Sequence, residues 1–214
     1  MNIIFNFLSS LLDSIFSFTG DWGLAIVFLT ISVRLVLSPM SFKQKKSMHQ
    51  QQKFGMKMQE IKEKYKDNKD RLDVEVKKQS AESAKSMLGC LVTLLQLPII
   101  MTLWSVFNKL PVSASTFLIP WVSSIKVSDS YFIVPLIYVL ISLTPSLLSY
   151  VTLLKIEGQA TLSKSNIIIM AVAGLFVAKA APIAVGIYLI TTSVFNFLEE
   201  LVFRLYIRNS KIRN

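Results

Sequence analysis

The run WGLAIVFLTISVRLVLSPM fills residues 22–40 and carries one charge, Arg34. About twenty apolar residues in a helix cross a hydrocarbon core roughly 30 Å thick. The run therefore predicts a membrane span over 22–41, entered at an interfacial tryptophan and left at Ser38-Pro39. Comparable runs at 86–107, 131–154, 165–178 and 183–205 predict four more. Hydrophobic residues make up 52% of the 214, against roughly 45–50% in a soluble domain even with glycine counted. The expected fold is an all-α integral membrane protein with five transmembrane helices.

Outside the spans the pattern changes character. Over residues 1–20, Asn6, Ser10, Asp13 and Ser17 recur at helical spacing, with Ile4, Leu8, Leu11, Ile15 and Phe18 on another face. That predicts an amphipathic helix lying in the external membrane interface. Residues 1–18 hold no Lys or Arg, so a cleaved secretory signal is not expected there.

Charge sets the topology. Thirteen of the 23 basic residues lie between positions 43 and 85, and the loop at 155–164 and the tail at 206–214 are also basic. Lys and Arg are retained on the cytoplasmic side. The N-terminus is therefore expected outside and the C-terminus in the cytoplasm, with an external loop over 108–130. The net charge of +10 then reports orientation and contact with anionic lipid rather than direct nucleic-acid binding, with a ribosome as a secondary partner of such a tail.

Residues 42–85 are predicted to form a cytoplasmic helical hairpin. Phe54, Met58, Ile61 and Tyr65 make a stripe at helical spacing, residues 66–70 read as a turn, and 71–85 resume as a more polar helix. A disordered linker is the alternative. Met48, Met56, Met58 and Met87 are candidates for an adaptable apolar surface or for plain core packing.

Arg34 is the most informative residue. An arginine at a helix centre costs about 2.5–3.5 kcal/mol on insertion scales, so it ordinarily faces protein or water; snorkelling to the interface is the alternative. Thr30, Arg34 and Ser38 lie at i, i+4 and i+8 on one face. Matching polar stripes are Thr93 and Gln96 in the second span, Ser142, Ser146 and Ser149 in the third, and Thr192, Asn196 and Glu200 in the fifth, with Glu199 beside them. Single stripes are common helix–helix contacts. Four together, one with a guanidinium, point to a shared wet groove open to the cytoplasm, which lowers the cost of bringing polar peptide into the membrane.

Enzyme chemistry finds no support. His49 is the only histidine and is expected to be solvated. Cys90 is the only cysteine, so an intrachain disulfide is excluded, and no phosphate-binding glycine loop occurs. Neither a metal nor another cofactor is expected.

The motifs, in order, resemble the YidC insertases and their Oxa and Alb relatives. Gly20-Asp21-Trp22-Gly23-Leu24-Ala25-Ile26, Ser32-Val33-Arg34-Leu35 and Ser38-Pro39-Met40 resemble the first core helix of that family. Met56-Lys57 and Glu60-Ile61-Lys62-Glu63-Lys64-Tyr65 are similar to its cytoplasmic hairpin. Gly89-Cys90-Leu91 with Gln96-Leu97-Pro98-Ile99 resembles its second core helix, and Pro182 with Gly186-Ile187-Tyr188 its last. The chain departs from the pattern at Leu189, where a tryptophan often stands, and at Ser86-Met87-Leu88 and Val92. The resemblance implies a groove with Arg34 as its positive charge and Gln96 in its lining, and a hairpin that recruits substrates. It also implies energy-independent insertion of nascent membrane proteins, alone or with the Sec translocon, by a monomer in the bacterial plasma membrane. The short form looks like the Gram-positive type. Rival readings are a small transporter, which would need an internal repeat, and a scaffold that assembles membrane complexes.

Overall fold

The computed structural model describes residues 2–66, 71–72, 74–77, 101, 104–107, 114–151, 154, 156 and 164–212. All regular structure among them is helical: α1 (Asn2–Thr19), α2 (Trp22–Lys64), α3 (Ile133–Leu147), a 3-10 turn (Leu148–Tyr150), α4 (Lys164–Ala180) and α5 (Ile183–Ile212). α5 packs against both α2 and α3, α1 lies on α2, and α4 lies on α3. The last helix in sequence thus sits at the middle of the packing.

Two helices, α2 and α5 (over Ile183–Asn209), are long and apolar enough to cross a membrane, while α3 and α4 are shorter apolar helices. Their outer faces stay apolar and unburied. Leu35 and Val36 on α2, Leu140 on α3, Ile169 and Phe176 on α4, and Val202 on α5 are all more than half exposed. An apolar surface of that extent is not tolerated by a soluble monomer, and a lipid surround accounts for it.

α1 forms with the amphipathy expected. Leu8 and Leu12 are buried and Phe5, Leu11, Ile15 and Phe16 pack partly against the core. Phe18, on the apolar face expected to meet the membrane interface, is 94% exposed. Gly20, at φ +68°, supplies the left-handed turn that ends α1, its amide donating to the Phe16 carbonyl at 2.7 Å. Phe16 then stacks on Trp22, ring centroids 3.9 Å apart.

α2 does not stop at Ser38-Pro39, where the sequence predicted the span to end. It runs through Pro39 for 43 residues, about 65 Å at 1.5 Å per residue. Roughly half of that spans a bilayer, and the remainder projects beyond it. Proline removes one helix hydrogen bond and crowds the preceding turn. Contacts to α5 on both sides, at Arg34 and at Phe42, hold the helix across that defect. Residues 65–66 form a turn, and 71–72 and 74–77 are helical again. The rest of the expected second arm, and the second span apart from 101 and 104–107, lies outside the described residues. There Val106 and Phe107 are buried, with Phe107 facing Tyr188 at 6.5 Å between ring centroids.

Of the third predicted span, 131–154, the described residues form a helix over 133–147 that closes in a 3-10 turn at 148–150. α3, at about 22 Å, plus a turn of about 6 Å approaches the thickness of the bilayer core. α5 runs beyond its predicted span: the tail from 206 continues as helix to 212, with Phe203 and Arg204 buried and Tyr206 against Phe42. Gly186 is required where α5 crosses α3, because a Cβ there would collide with Val134.

The loop ending at 132 is built around helix N-termini, whose first amides lack partners within the helix. Asp21 caps α2 by accepting from the Leu24 amide at 2.8 Å, and also accepts from Thr116 Oγ1 at 2.8 Å and the Phe117 amide at 2.9 Å. Asp129 is 4% exposed and accepts from the amides of Val134 (2.8 Å) and Tyr131 (3.0 Å) and from Trp121 Nε1 (3.3 Å). The Val127 and Ile125 carbonyls accept from the Ile183 and Ala184 amides, both at 2.9 Å, capping α5. The loop therefore caps α3 and α5 directly and is tied to the cap of α2 through Asp21.

Asp129→Ala should lower stability by about 3 kcal/mol, because it strands three donors around a buried site. Thermal unfolding in detergent checks this, and Asp129→Asn, which keeps an acceptor, should lose less.

Candidate functional site

Polar side chains collect on the faces that α2 and α5 turn towards each other. On α2 these are Thr30, Arg34, Ser38, Ser41 and Lys45, and on α5 they are Thr192, Asn196, Glu199, Glu200 and Arg204. Helical spacing of about four residues keeps each set on one stripe, and packing brings the stripes together. Apolar residues flank them: Ala25, Ile26 and Leu29 on α2 and Ile187 and Tyr188 on α5 are in the core.

Arg34 is 8% exposed. Its Nη1 donates to Asn196 Oδ1 at 3.2 Å, while Nη2 is out of solvent with no hydrogen-bond partner among the described residues. One turn before Arg34, Thr30 is buried and returns its hydroxyl to the Ile26 carbonyl at 2.6 Å. Thr192, one turn before Asn196, is buried with its hydroxyl unsatisfied among the described residues.

One turn beyond Asn196 on α5 stands Glu199. Both its carboxylate oxygens are withdrawn from solvent without a hydrogen bond of ordinary geometry. Ser38 and Ser41 are its neighbours on α2, and Lys45 and Arg34 act on it electrostatically. Glu200 points to a second group. It accepts from Lys45 Nζ at 3.0 Å through one oxygen and from Arg204 Nε at 2.9 Å through the other. Arg204 is 1% exposed and its Nη1 donates to the Leu154 carbonyl at 2.9 Å. The network thus joins α2 beyond Pro39, α5 and the chain just after α3.

Thr30, Arg34, Ser38, Thr192 and Asn196, all expected in the groove, lie along this seam. Thr93 and Gln96 lie outside the described residues. Ser146 sits on α3, half-buried and with a polar or electrostatic interaction of its own. Phe54, Met58, Ile61 and Tyr65 are half-buried on the projecting part of α2, while Lys53, Lys57, Glu60 and Lys62 between them are exposed. His49 is not simply solvated: its ring stands edge-on to Phe203 at 6.4 Å, and its Nε2 is out of solvent.

Two members of the site were not anticipated as such. Arg204 looks like one more basic residue near the tail, although its i, i+4 spacing from Glu200 is the signature of a helical ion pair. Lys45 continues the Arg34 stripe at i+11, a signal hidden by the many lysines around it. Chemically the seam offers a fixed cation with spare donors and a carboxylate with spare acceptors. Among the described residues no three His, Cys, Asp or Glu side chains are grouped to hold a metal. The arrangement suits reversible binding of polar groups at membrane depth.

Comparison with known proteins agrees with these features. The family model of the 60Kd inner membrane protein matches residues 14–210, most of the chain. The chain belongs to this family, that of the YidC proteins. A membrane protein insertase YidC of Helicobacter pylori is 30% identical over 208 residues, covering 94% of this chain and 36% of the relative. One from Wolinella succinogenes is 37% identical over 129 residues, covering 59% and 24%. Against these the matched part of the chain spans about a third and about a quarter of the relatives' lengths. One from Caldanaerobacter subterraneus subsp. tengcongensis, also named membrane protein insertase YidC, is 26% identical over 205 residues, covering 95% of both.

Removing Glu200 should destabilise more than removing Lys45. Glu200→Ala leaves Arg204 buried without its counter-charge, at about 3 kcal/mol, whereas Lys45→Ala loses a partly screened pair of about 1 kcal/mol or less. Melting temperatures of the two variants in the same detergent compare them.

Proposed function

We propose that this YidC-family chain is a membrane protein insertase and chaperone of the bacterial plasma membrane. It receives hydrophobic segments of nascent membrane proteins in a cytoplasm-open polar groove and releases them into lipid. The observation that carries this reading is Arg34: a buried cation at membrane depth, held by one hydrogen bond and left with unsatisfied N–H donors among the described residues. Such a charge is too costly to keep in a span without use, and its open donors suit a carboxylate or backbone carbonyl of a passing chain. The names of the relatives support the same activity.

In this reading Thr30, Ser38, Thr192 and Asn196 line the groove with Arg34, and Thr93, Gln96 and Ser146 complete it from the second and third spans. The projecting part of α2, with Phe54, Met58, Ile61 and Tyr65, recruits substrates on the cytoplasmic side. The chain crosses the bilayer five times, N-terminus outside, works as a monomer beside anionic lipid, and cooperates with the Sec translocon and the ribosome. Catalysis of a covalent step is not involved and no cofactor is needed, the free energy coming from transfer of the apolar segment into lipid.

Arg34→Ala should reduce insertion of a single-span substrate with an acidic external segment by roughly tenfold, the worth of a charge-assisted hydrogen bond, and Arg34→Lys should lose less. The measurement is protease protection in liposomes holding the purified protein alone. Absence of insertion by the native chain above empty liposomes overturns the insertase reading in favour of a scaffold. Equal loss with alanine and lysine shows that shape, not charge, matters at Arg34.

A further inference from the structure

We propose that the loop at 114–132 seats the molecule in the membrane: its exposed apolar side chains lie in the interfacial layer of one leaflet and set the depth at which α2, α3 and α5 stand in the bilayer. The proposal is independent of the insertase reading and needs only that the chain stands in lipid.

The outward surface of the loop is the first observation. Phe117 and Tyr131 are 66% and 68% exposed, and Leu118, Trp121 and Val127 are exposed as well. Asp129 is the only acid in the loop and it is buried, so the outward surface carries apolar groups and serines but no carboxylate. This surface runs on into α3, where Ile133, Leu136 and Leu140 are exposed on the face that lipid surrounds. Phe18 is exposed at the same end, three residues before the Asp21 that binds the loop. Aromatic side chains gathered at the head of a lipid-facing helix are what the membrane interface concentrates.

The backbone is the second observation. Irregular chain enters a membrane only where protein satisfies its polar groups. Here the amides of Phe117 and Leu118 donate to Asp21 and to Thr116 Oγ1, that of Val127 to the Ser124 carbonyl, and that of Tyr131 to Asp129. Trp121 gives its indole N–H to Asp129 as well. An interfacial tryptophan ordinarily keeps one end wet for that N–H. With the N–H satisfied inside the protein, the ring can lie on the acyl side. Lys179, exposed at the end of α4, stands over the Phe132 ring at 4.4 Å and places an ammonium beside the loop for lipid phosphates.

Depth follows from how the loop is joined to the helices. Asp21 caps α2 and also accepts from Thr116 and Phe117, Asp129 caps α3, and the Ile125 and Val127 carbonyls cap α5. The loop therefore moves only with these helices. Arg34 follows Asp21 by thirteen residues, about 20 Å of helix at 1.5 Å per residue. With the loop at one interface and α2 along the membrane normal, the arginine lies past the middle of a hydrocarbon core about 30 Å thick.

The test uses the full-length protein in vesicles of phosphatidylcholine and phosphatidylglycerol, with Trp22→Phe and Trp104→Phe leaving Trp121 as the only tryptophan. Its fluorescence should be quenched by lipids brominated near the headgroup end of the acyl chains and shielded from iodide in the water. Quenching by iodide without quenching by bromolipid puts the loop in water and overturns the proposal. Quenching by neither shows the loop covered by protein, a second copy included, and refutes it equally. For the depth, a spin label on Val36→Cys in a Cys90→Ser background reports the immersion of α2 through its exposure to oxygen against a water-soluble nickel chelate. Val36 is 77% exposed on α2 and, like Arg34, lies past the middle of the core. Phe117→Glu with Leu118→Glu should lift the loop, raise iodide quenching of Trp121 and move the label towards the middle of the bilayer. A lifted loop with an unmoved label removes the depth-setting role. Unchanged quenching of Trp121 in that variant rules out seating by these apolar side chains. Circular dichroism checks that the helices survive; if they do not, Phe117→Ser with Leu118→Ser takes the place of the variant.

Discussion

Burying Arg34 beneath a lipid-facing surface is possible only because α5 brings Asn196 against it. A guanidinium in a low-dielectric interior needs polar company from another helix, since on its own helix the Thr30 hydroxyl is already turned back to the Ile26 carbonyl. The pairing of α2 with α5 is therefore a condition for keeping the charge at all. The same pairing carries α2 across Pro39, aligns Phe42 with Phe203 and Tyr206, and brings Lys45 to Glu200.

The two ends of the molecule solve the problem of unsatisfied backbone differently. At one end, aspartates and loop carbonyls cap α2, α3 and α5, with Asp21 and Asp129 each serving more than one donor. At the other end α2 and α5 run on and are joined by ions and aromatic rings rather than by caps. One end is thereby tied by hydrogen bonds, and the other by side chains that meet between two long helices. The polar seam lies towards the second end, and Ile26, Leu29 and Ile187 of the core lie towards the first.

The seam also explains why stripes of small polar residues carry meaning here. In lipid, Ser and Thr hydroxyls usually satisfy themselves on the preceding turn, as Ser32, Ser142, Thr144 and Thr191 do. Such residues mark helix–helix packing and nothing more. Thr192 and Glu199 differ, because their polar atoms are withdrawn from water without that compensation among the described residues. The distinction between a packing hydroxyl and a site residue is made by what lies opposite, and it is invisible in spacing alone.

Much was legible in the residues themselves. The length and apolarity of 22–40 dictated a span, the helical period of 1–20 an amphipathic helix, and the lone Arg34 with Thr30 and Ser38 a polar face, since each rests on local composition and a period of 3.6. The family motifs were likewise local. Which partner each polar group meets was not local. Nothing in the order of residues said that Lys45 rather than another of the thirteen basic residues in its segment would reach Glu200, or that Arg204 would be buried. Nor did it say that Asp129 would collect three donors or that Pro39 would fail to end its helix. Those outcomes depend on which helix lies across the interface and at what register, and the energies that choose between them arise only when residues some 160 positions apart are brought into contact.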